Sequence, residues 1–230
     1  MNIAIITARG GSKRIPRKNL REFCGRPILS YSIDAAREAR CFDEVMVSTD
    51  DAEIAGYAKA QGAHVPFMRS AQASSDEATT ASVVSEVLTA YAERGHAFDR
   101  ACCIYATAPF VSAEILEKGF DMMSADPTMT GLVPVVRFSF PPQRAFRLVN
   151  GRVQWSDPRN RLTRSQDLEP VYHDAGQFYW LRVDAFAAQQ ELITDQMGAL
   201  VLPEWHVQDI DHEDDWILAE AKYRFAQQRA

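Results

Sequence analysis

Short runs of β-branched and apolar residues alternate with longer segments of helical periodicity along most of this chain. Residues 2–7 form the first apolar run, a helical pattern covers about 27–40, and a second apolar run covers 44–49. Parallel strands need a crossover connection between them, and a helix of this length supplies one. The alternation therefore predicts an α/β fold, a three-layer αβα, Rossmann-like arrangement with a mainly parallel sheet.

The alternation extends to the end of the sequence. Helices are predicted at about 51–61, 78–94, 112–125 and 213–227, and strands at 64–67, 101–107, 175–182 and 199–207. Ser112 is a suitable N-cap for the helix that follows it. The chain has 230 residues, of which 47% are hydrophobic, so it can bury the core of one domain spanning 1–230.

One stretch breaks the alternation. Residues 133–174 contain strand-like pieces and many Arg, Pro and Gln residues, and the pair Asn150-Gly151 within them predicts a hairpin turn. We interpret about 137–173 as a small β-rich excursion from the main sheet. A lone hairpin cannot bury its own apolar face, so the excursion predicts a dimerisation arm and hence a homodimer.

The overall charge and the cysteines exclude several classes of protein. A formal net charge of −6 and a pI near 5.4 give no global positive field to attract nucleic acid or an anionic membrane. No apolar stretch approaches the roughly 20 residues of a spanning helix, and we expect a cytoplasmic protein. The four cysteines lack CxxC spacing, which argues against a zinc site and favours buried free thiols.

The most informative motif is TARGGSKRIPRKN at residues 7–19, directly after the first predicted strand. Five Arg and Lys residues fall within ten positions of an acidic protein, and two adjacent glycines allow the backbone to approach an anion closely. A nucleoside triphosphate matches this combination of backbone N–H groups and cations. The alternative to a triphosphate site is a solvated basic turn. The spacing is neither that of a P-loop nor GxGxxG, which argues against ordinary kinases and dehydrogenases.

A second motif is VQDIDHEDDW at residues 207–216. Asp209 and Asp211 alternate along an extended segment, so their carboxylates point to the same side and repel unless a cation lies between them. Mg²⁺ binds through one or two carboxylates together with substrate phosphate oxygens, and Mn²⁺ is a possible substitute. The next three acidic residues are Glu213, Asp214 and Asp215. The alternative to a metal-binding role for them is that they begin a helix, whose N-terminus favours negative charge.

These motifs together resemble those of a known family. The loop at 7–19, VSTDD at 47–51, the segment 69–76 and QDID at 208–211 are similar to sequences in the CMP-sugar synthetases, cytidylyltransferases that activate acidic sugars. The resemblance spans nearly the whole chain. It implies a nucleotidyltransferase version of the Rossmann-like fold, and a reaction of CTP with an acidic sugar that releases pyrophosphate.

The resemblance also implies a role for individual residues. Arg9 and Lys13 match positions that hold the triphosphate, and Asp209 and Asp211 match metal ligands; these four are the expected catalytic residues. Asn19 matches a position near the ribose. The residues implied to bind the nucleotide are Ala8, Arg9, Gly10, Gly11, Ser12, Lys13, Asn19, Arg69 and Thr80, with the last two reading cytosine.

The sugar is indicated by three further segments. CIYATAPF at 103–110, RSQDL at 164–168 and YHDAGQFYW at 172–180 resemble the family members that act on pseudaminic acid more than those that act on sialic acid. In particular, Tyr105 stands where the sialic acid enzymes usually carry glutamine. The residues implied to bind the sugar are Tyr105, Arg144, Arg164, His173 and Gln177.

The expected reaction therefore joins CMP from CTP to a nine-carbon α-keto acid sugar, with pseudaminic acid favoured. Sialic, legionaminic or deoxy-octulosonic acid are alternative sugars within the same family. A catalytically silent nucleotide-binding or regulatory module is the alternative from a different class.

Overall fold

The computed structural model describes residues 1–194 and 196–228. Its strands are β1 (Asn2–Thr7), β2 (Glu22–Phe23), β3 (Arg26–Pro27), β4 (Glu44–Ser48), β5 (Arg100–Tyr105), β6 (Gly131–Arg137), β7 (Phe146–Val149), β8 (Arg152–Trp155), β9 (Tyr172–Asp174), β10 (Phe178–Arg182) and β11 (Met197–Val201). Its α-helices are α1 (Leu29–Glu38), α2 (Ala52–Ala60), α3 (Thr80–Ala92), α4 (Ala113–Ala125), α5 (Val183–Gln189) and α6 (Glu213–Gln227).

The main sheet has the strand order β11-β6-β10-β5-β1-β4, with β9 paired to the end of β6. β1 is parallel to both β4 and β5, and β11 is parallel to β6. β10 is antiparallel to its two neighbours β5 and β6, so β6 runs in the same direction as β5. This is the mainly parallel α/β sheet that the sequence predicts, with two antiparallel insertions.

Alternation along the strands places apolar side chains on both faces of the sheet. Ala4 and Ile6 face a core formed with α1, α2 and α4, whereas Ile3 and Ile5 face a core formed with α3 and α5. All four side chains are fully buried, which is why β1 reads as a continuous apolar run. The predicted three layers are confirmed.

A third cluster lies beside the first predicted loop. Phe23 of β2 packs edge to face against Trp216 of α6, with ring centroids 5.6 Å apart, and Ile15 and Ile210 are buried in the same cluster. The loop after β1 and the segment before α6 therefore share one apolar support, although about 190 residues of sequence separate them.

Most predicted helices are confirmed, and their caps explain where they begin. The Ser112 side chain accepts a hydrogen bond from the Ile115 N–H at 3.4 Å, and Asp51 accepts from Ile54 at 3.0 Å. All four cysteines are free thiols, as predicted, but only Cys102 and Cys103 are buried, whereas Cys24 and Cys41 are partly exposed.

Three strand predictions need correction. The predicted strand at 64–67 is wrong, because only His64 pairs with Met46 and Pro66 has no N–H to donate. The strand predicted at 199–207 ends at Val201, and Pro203 is followed by one 3₁₀ turn. The strand predicted at 175–182 starts at Phe178, after Gly176 takes a φ of 63°.

The irregular stretch at 133–174 divides into two parts. β6 and β9 belong to the main sheet, and residues 138–171, which we call the arm, leave it. The predicted hairpin is confirmed, since β7 pairs with β8 and the turn residues Asn150 and Gly151 have φ values of 51° and 74°.

Candidate active site

A cleft opens where three strands of the main sheet end together. Thr7 at the end of β1 pairs with Ser48 of β4 on one side and with Tyr105 of β5 on the other. The cleft has a volume of about 350 Å³. The described residues that line it are Thr7, Arg9, Ser12, Lys13, Arg14, Lys18, Asn19, Tyr105, Ala106, Thr107 and Asp211. The basic loop and Asp211 therefore meet across one cleft at the carboxyl edge of the sheet.

The loop is held close to the end of β4. The Ala8 N–H donates to the Ser48 carbonyl at 3.0 Å, and the Gly10 N–H donates to Asp50 Oδ1 at 2.9 Å. A Cβ on Gly10 would lie 2.8 Å from the Cβ of Asp51, so only glycine allows this approach. A Cβ on Gly11 would have no heavy atom within 4 Å. The close approach at Gly10 is thus the steric reason for a glycine in the pair.

The Asn19 side chain also restrains the basic loop. Its side chain is 8% exposed, and Nδ2 donates to the Arg9 carbonyl at 2.8 Å. A buried amide with a satisfied hydrogen bond restricts the loop backbone beside Arg9. Asn19 also lines the cleft, where the resemblance expects the ribose.

Two cleft-lining cations share one carboxylate. Arg9 Nη1 lies 3.1 Å from Asp76 Oδ1, and Lys13 pairs with Oδ2 of the same residue. Lys13, and then Arg9, lower the pKa of the Asp76 carboxyl. All three side chains are substantially exposed, so water screens these pairs and a stronger anion can displace the carboxylate.

The second pair of cleft cations meets the aspartates near α6. Arg14 Nη2 lies 2.8 Å from Asp211 Oδ1, and Lys18 Nζ lies 4.0 Å from the same oxygen. Lys18 also donates to the Ile210 carbonyl. Burial lowers the pKa of Lys18, against the opposing effect of Asp211 and Asp209. Lys18 is thus the most enclosed cation of the loop and ties it to the aspartate segment.

Asp209 and Asp211 are close in space and separated by Ile210, which is 1% exposed. Loss of hydration and then the neighbouring Asp211 charge raise the pKa of the Asp209 carboxyl, with Lys18 opposing the shift. Two neighbouring carboxylates, one of which raises the pKa of the other, provide the donor chemistry of a divalent cation site.

The metal would need further ligands from its substrate. Within the described residues, no three His, Cys, Asp or Glu side chains cluster to hold an ion. Mg²⁺ commonly uses one or two carboxylates and completes its shell with phosphate oxygens and water. Asp209 and Asp211 fit that pattern. Asp215 does not compete, because its carboxylate accepts from the Asp211 and His212 N–H groups at 3.0 and 2.8 Å, as an acidic helix N-terminus should.

The residues expected to read cytosine lie beside the strand ends. Arg69 is 8% exposed, and its guanidinium donates to Ser48 Oγ at 3.0 Å and to the Ser48 carbonyl at 2.6 Å. Burial lowers the pKa of Arg69, with Asp50 opposing the shift. Thr80 begins α3, and its hydroxyl lies 3.2 Å from the Tyr105 hydroxyl.

Tyr105 is the one expected sugar ligand that lines the cleft. Gln177 is 1% exposed, and its amide donates to the His206 carbonyl at 2.5 Å, so it anchors the segment that leads to Asp209. Within the described chain, Gln177, Arg144, Arg164 and His173 do not line the cleft.

The other three expected sugar ligands belong to the arm or its base. Arg144 lies 3.2 Å from Ser165 Oγ within the arm, and Arg164 is exposed. The His173 ring is exposed and lies tilted against the Phe138 ring, with centroids 4.6 Å apart. None of these three side chains lines the cleft of its own chain, as far as the described residues show.

Several residues at this site were not predicted from sequence. Asp76 neutralises Arg9 and Lys13, Asp50 binds the Gly10 N–H, and Asp174 accepts a hydrogen bond from Tyr179. Asp50 and Asp76 lie within the motifs at 47–51 and 69–76. The sequence therefore indicated that these segments belong to the site, but it did not indicate which residues the two aspartates contact. Tyr179 and Trp180 are buried in the core of the protein.

No α-helix in the described part of the chain is both long and apolar enough to cross a membrane.

Comparison with known proteins adds an independent finding. A family model described as cytidylyltransferase matches residues 3–201. The chain is 39% identical over 224 residues to the pseudaminic acid cytidylyltransferase of Campylobacter jejuni, covering 97% of this chain and 96% of the relative. It is 28% identical to the CMP-N,N'-diacetyllegionaminic acid synthase of Legionella pneumophila, covering 95% and 94%.

A solved structure has the same fold. The CMP:2-keto-3-deoxy-manno-octonic acid synthetase complexed with CTP superimposes with a TM-score of 0.69 over 99% of each chain, at 18% identity. The family-model match stops before Asp209 and Asp211, whereas the match to the Campylobacter relative covers nearly the whole chain.

Proposed function

Because this chain belongs to the cytidylyltransferase family and is a nucleotidyltransferase, we propose that it joins CMP from CTP to pseudaminic acid, a nine-carbon α-keto acid sugar, and releases pyrophosphate. The observation that carries the proposal is the shared cleft, in which the cations of the loop after β1 face Asp211. A triphosphate needs both features, since its phosphate oxygens are neutralised by Arg and Lys and by a divalent cation.

In the proposed reaction, the anomeric hydroxyl of the sugar attacks the α-phosphorus of CTP. The new bond joins the sugar oxygen to the α-phosphorus, the bond between the α-phosphorus and the oxygen that bridges it to the β-phosphorus breaks, pyrophosphate leaves, and the hydroxyl proton passes to water. Arg9 and Lys13 neutralise the charge that moves onto the leaving group. Asn19 and Gly10 hold the loop backbone in place during this change, so little reorganisation is required.

Asp209 and Asp211 would hold Mg²⁺, or Mn²⁺ in its place, and a cation bound there supplies charge neutralisation and alignment of the phosphates. Arg69 and Thr80 are proposed to contact cytosine, since both lie at the strand ends beside the cleft. A guanidinium and a hydroxyl suit a pyrimidine that carries one carbonyl and one amino group.

Pseudaminic acid is favoured over other sugars on two grounds. The Campylobacter relative acts on it and is 39% identical, compared with 28% for the legionaminic relative. Tyr105 also lines the cleft in a position where the sialic acid enzymes are expected to carry glutamine.

We further propose a homodimer formed through the arm, in a cytoplasmic protein. In the hairpin, Phe146, Leu148 and Val153 lie on one face and are 54%, 77% and 66% exposed. An apolar face of this kind is stable in water only when covered. The dimer would bring Arg144 and Arg164 to the sugar carboxylate in the partner's cleft, where guanidinium groups suit a carboxylate.

A pyrophosphate-release assay with a panel of keto-acid sugars and the four nucleoside triphosphates tests the proposal. We expect turnover with CTP and pseudaminic acid in the presence of Mg²⁺, and much lower turnover with ATP, GTP or UTP. Preference for sialic, legionaminic or deoxy-octulosonic acid would correct the sugar. Absence of pyrophosphate with every sugar would identify a silent nucleotide-binding module instead.

A further inference from the structure

The segment that carries Asp209 and Asp211 forms no helix or strand of its own. Residues 207–212 lie between the 3₁₀ turn at Glu204–His206 and the start of α6. Because no ladder of backbone hydrogen bonds runs along these residues, other contacts must hold them in place. Ile210 makes one such contact, since its side chain is buried in the apolar cluster beside the basic loop. The polar contacts of the segment decide how the rest of its backbone is fixed.

Two side chains from other elements bind the start of this segment. Gln177 Nε2 donates to the His206 carbonyl at 2.5 Å, and Lys222 Nζ donates to the Val207 carbonyl at 2.8 Å. Gln177 directly precedes β10 and Lys222 lies in α6, so the two hydrogen bonds reach the segment from different parts of the fold. Neither side chain lines the cleft formed by the described residues. Two adjacent carbonyls are thus tethered just before Asp209.

Gln177 also connects this segment to the wall of the cleft. Its carbonyl accepts from the Tyr105 N–H at 2.9 Å, and Tyr105 lines the cleft. The preceding residue, Gly176, packs beside the second half of the segment, because a Cβ on it would lie 3.9 Å from the Asp209 Cγ. Gln177 therefore fixes the distance between the end of β5 and the aspartate segment.

Stability alone does not explain a glutamine at this position. Gln177 is 1% exposed, and its Oε1 has no hydrogen-bond partner among the described residues. A buried oxygen without a partner lowers stability, and an apolar side chain of the same length would avoid this cost. Lys222 carries a similar cost, since burial lowers the pKa of its ammonium group. What these two side chains provide is their hydrogen bonds to the segment.

We propose that Gln177 and Lys222 are positioning residues for the metal site, which hold the segment of Asp209 and Asp211 in place independently of the metal. The inference rests on the proposed function, in which these two aspartates are the metal ligands. It gives Gln177 a different role from the sugar ligand that the resemblance implies. Residues that orient metal ligands commonly change metal affinity by about 10- to 100-fold when they are replaced, although they do not touch the ion.

Calorimetric titration with CTP, once with Mn²⁺ and once with EDTA, tests the inference in the absence of sugar and turnover. Gln177→Met and Lys222→Met each remove the donor and keep an unbranched side chain of similar length. We expect each variant to bind CTP about tenfold more weakly when Mn²⁺ is present, and less than about twofold more weakly in EDTA, because only the contribution of the metal depends on the segment. Lys222→Met decides the question if Gln177→Met does not fold.

Gln143→Met is the matched control. Gln143 Nε2 also donates to a backbone carbonyl, that of Glu169 in the arm at 2.8 Å, and its Oε1 is likewise buried without a partner among the described residues. The same substitution therefore removes the same kind of hydrogen bond at a place remote in the fold from the aspartate segment. CTP binding should change less than about twofold in this variant, both with Mn²⁺ and with EDTA.

Hydrogen exchange of the metal-free protein gives a second readout. In Gln177→Met, the amides of residues 206–212 should exchange about tenfold faster than in the original protein, because a tether of the segment is lost. The amides of β1 should keep their original rates. Unchanged exchange in residues 206–212 would mean that Gln177 does not hold the segment, and would overturn the inference.

Three other results would also overturn the inference. CTP binding weakened equally with Mn²⁺ and with EDTA would mean that the two residues support the nucleotide rather than the metal. A raised sugar KM with unchanged CTP binding would identify Gln177 as a sugar ligand. If Mn²⁺ does not tighten CTP binding to the original protein, the metal assignment of the proposed function fails together with the inference. Tightening by Mn²⁺ that is the same in the original protein and in both variants removes the inference alone.

Discussion

The cleft and the arm are built from similar short strands but differ in what supports them. Under the cleft, Ile6 and Ile104 are fully buried between layers of helices. In the arm, Phe140, Leu148 and Leu162 are 87%, 77% and 85% exposed. In the proposed function, one chain supplies the nucleotide half of the site and a partner covers the arm, so nucleotide binding and assembly should respond to different substitutions.

The energetic scale of that difference is substantial. Burying one large apolar side chain stabilises by roughly 1.5–3 kcal/mol. Covering three such side chains therefore contributes several kcal/mol to the free energy of association. Part of this contribution offsets the entropy that the two chains lose when they associate. The predictions below probe the two regions in turn, beginning with the largest effect.

The sharpest separation comes from the two aspartates of the proposed metal site, of which Asp211 lines the cleft and Asp209 lies beside it. Asp209→Asn and Asp211→Asn should each lower kcat by about 100-fold or more in saturating Mg²⁺, because each removes a charge that holds the metal against the phosphates. The measurement is pyrophosphate release, with thermal unfolding as the check on the fold. Asp214→Asn, an exposed change in the first turn of α6, is the matched control and should remain near the original rate. Near-normal turnover in both the Asp209→Asn and the Asp211→Asn variants would contradict the assignment of these two residues as metal ligands.

Arg9→Ala should have the next largest effect. Loss of a cleft-lining guanidinium should lower kcat/KM for CTP roughly 10- to 50-fold, since a charged donor to the triphosphate is gone. Arg17→Ala is the matched control, because Arg17 belongs to the same loop but pairs with Glu53 at 2.5 Å and does not line the described cleft. Equal losses in the two variants would show that the loop acts through its net charge rather than through a specific contact.

The arm should respond in assembly and not in nucleotide binding. Leu148→Asp should raise the dimer dissociation constant about tenfold or more, because a carboxylate is placed in the apolar face that the partner covers. Light scattering over a dilution series measures the dimer, and CTP affinity without sugar should stay within about twofold. Gln154→Asp, on the opposite face of the hairpin, adds the same charge and should leave the dimer intact. A weakened dimer in both variants, or in neither, would break the distinction between the two regions.

The smallest expected effect concerns Asp76. This carboxylate holds Arg9 and Lys13 and must give them up to the triphosphate. Asp76→Asn should therefore tighten CTP binding by about two- to fivefold, the range of an exposed ion pair. Calorimetric titration with CTP measures the change, and weaker binding in the variant would mean that Asp76 contacts the nucleotide favourably.

Local patterns explain what the sequence predicted well. The strand runs, the helix caps and the Asn150-Gly151 turn depend on neighbours within a few residues, and so does the concentration of charge at 9–18. The meeting of that loop with Asp211 was implied only by the resemblance to the CMP-sugar synthetases, because Asp211 lies beyond the end of β11, the strand at the edge of the sheet away from β1.

The remaining features depend on contacts between distant segments. Asp76 reaches Arg9 across 67 positions, and its residue type alone did not indicate this partner. The prediction of a strand at 64–67 was wrong because Pro66 lacks an N–H group to donate. That information is local, but the prediction followed the apolar pattern instead.

The central claim is that the loop cations and the two aspartates hold one triphosphate from opposite sides. Anomalous scattering from a crystal grown with CTP and Mn²⁺ tests it most directly, since manganese marks the metal position independently of the protein density. The account predicts one strong peak that touches Asp209 or Asp211 and the CTP phosphates, with Arg9 and Lys13 on the other side of the phosphate chain. A nucleotide bound elsewhere, or a metal peak remote from both aspartates, would contradict it.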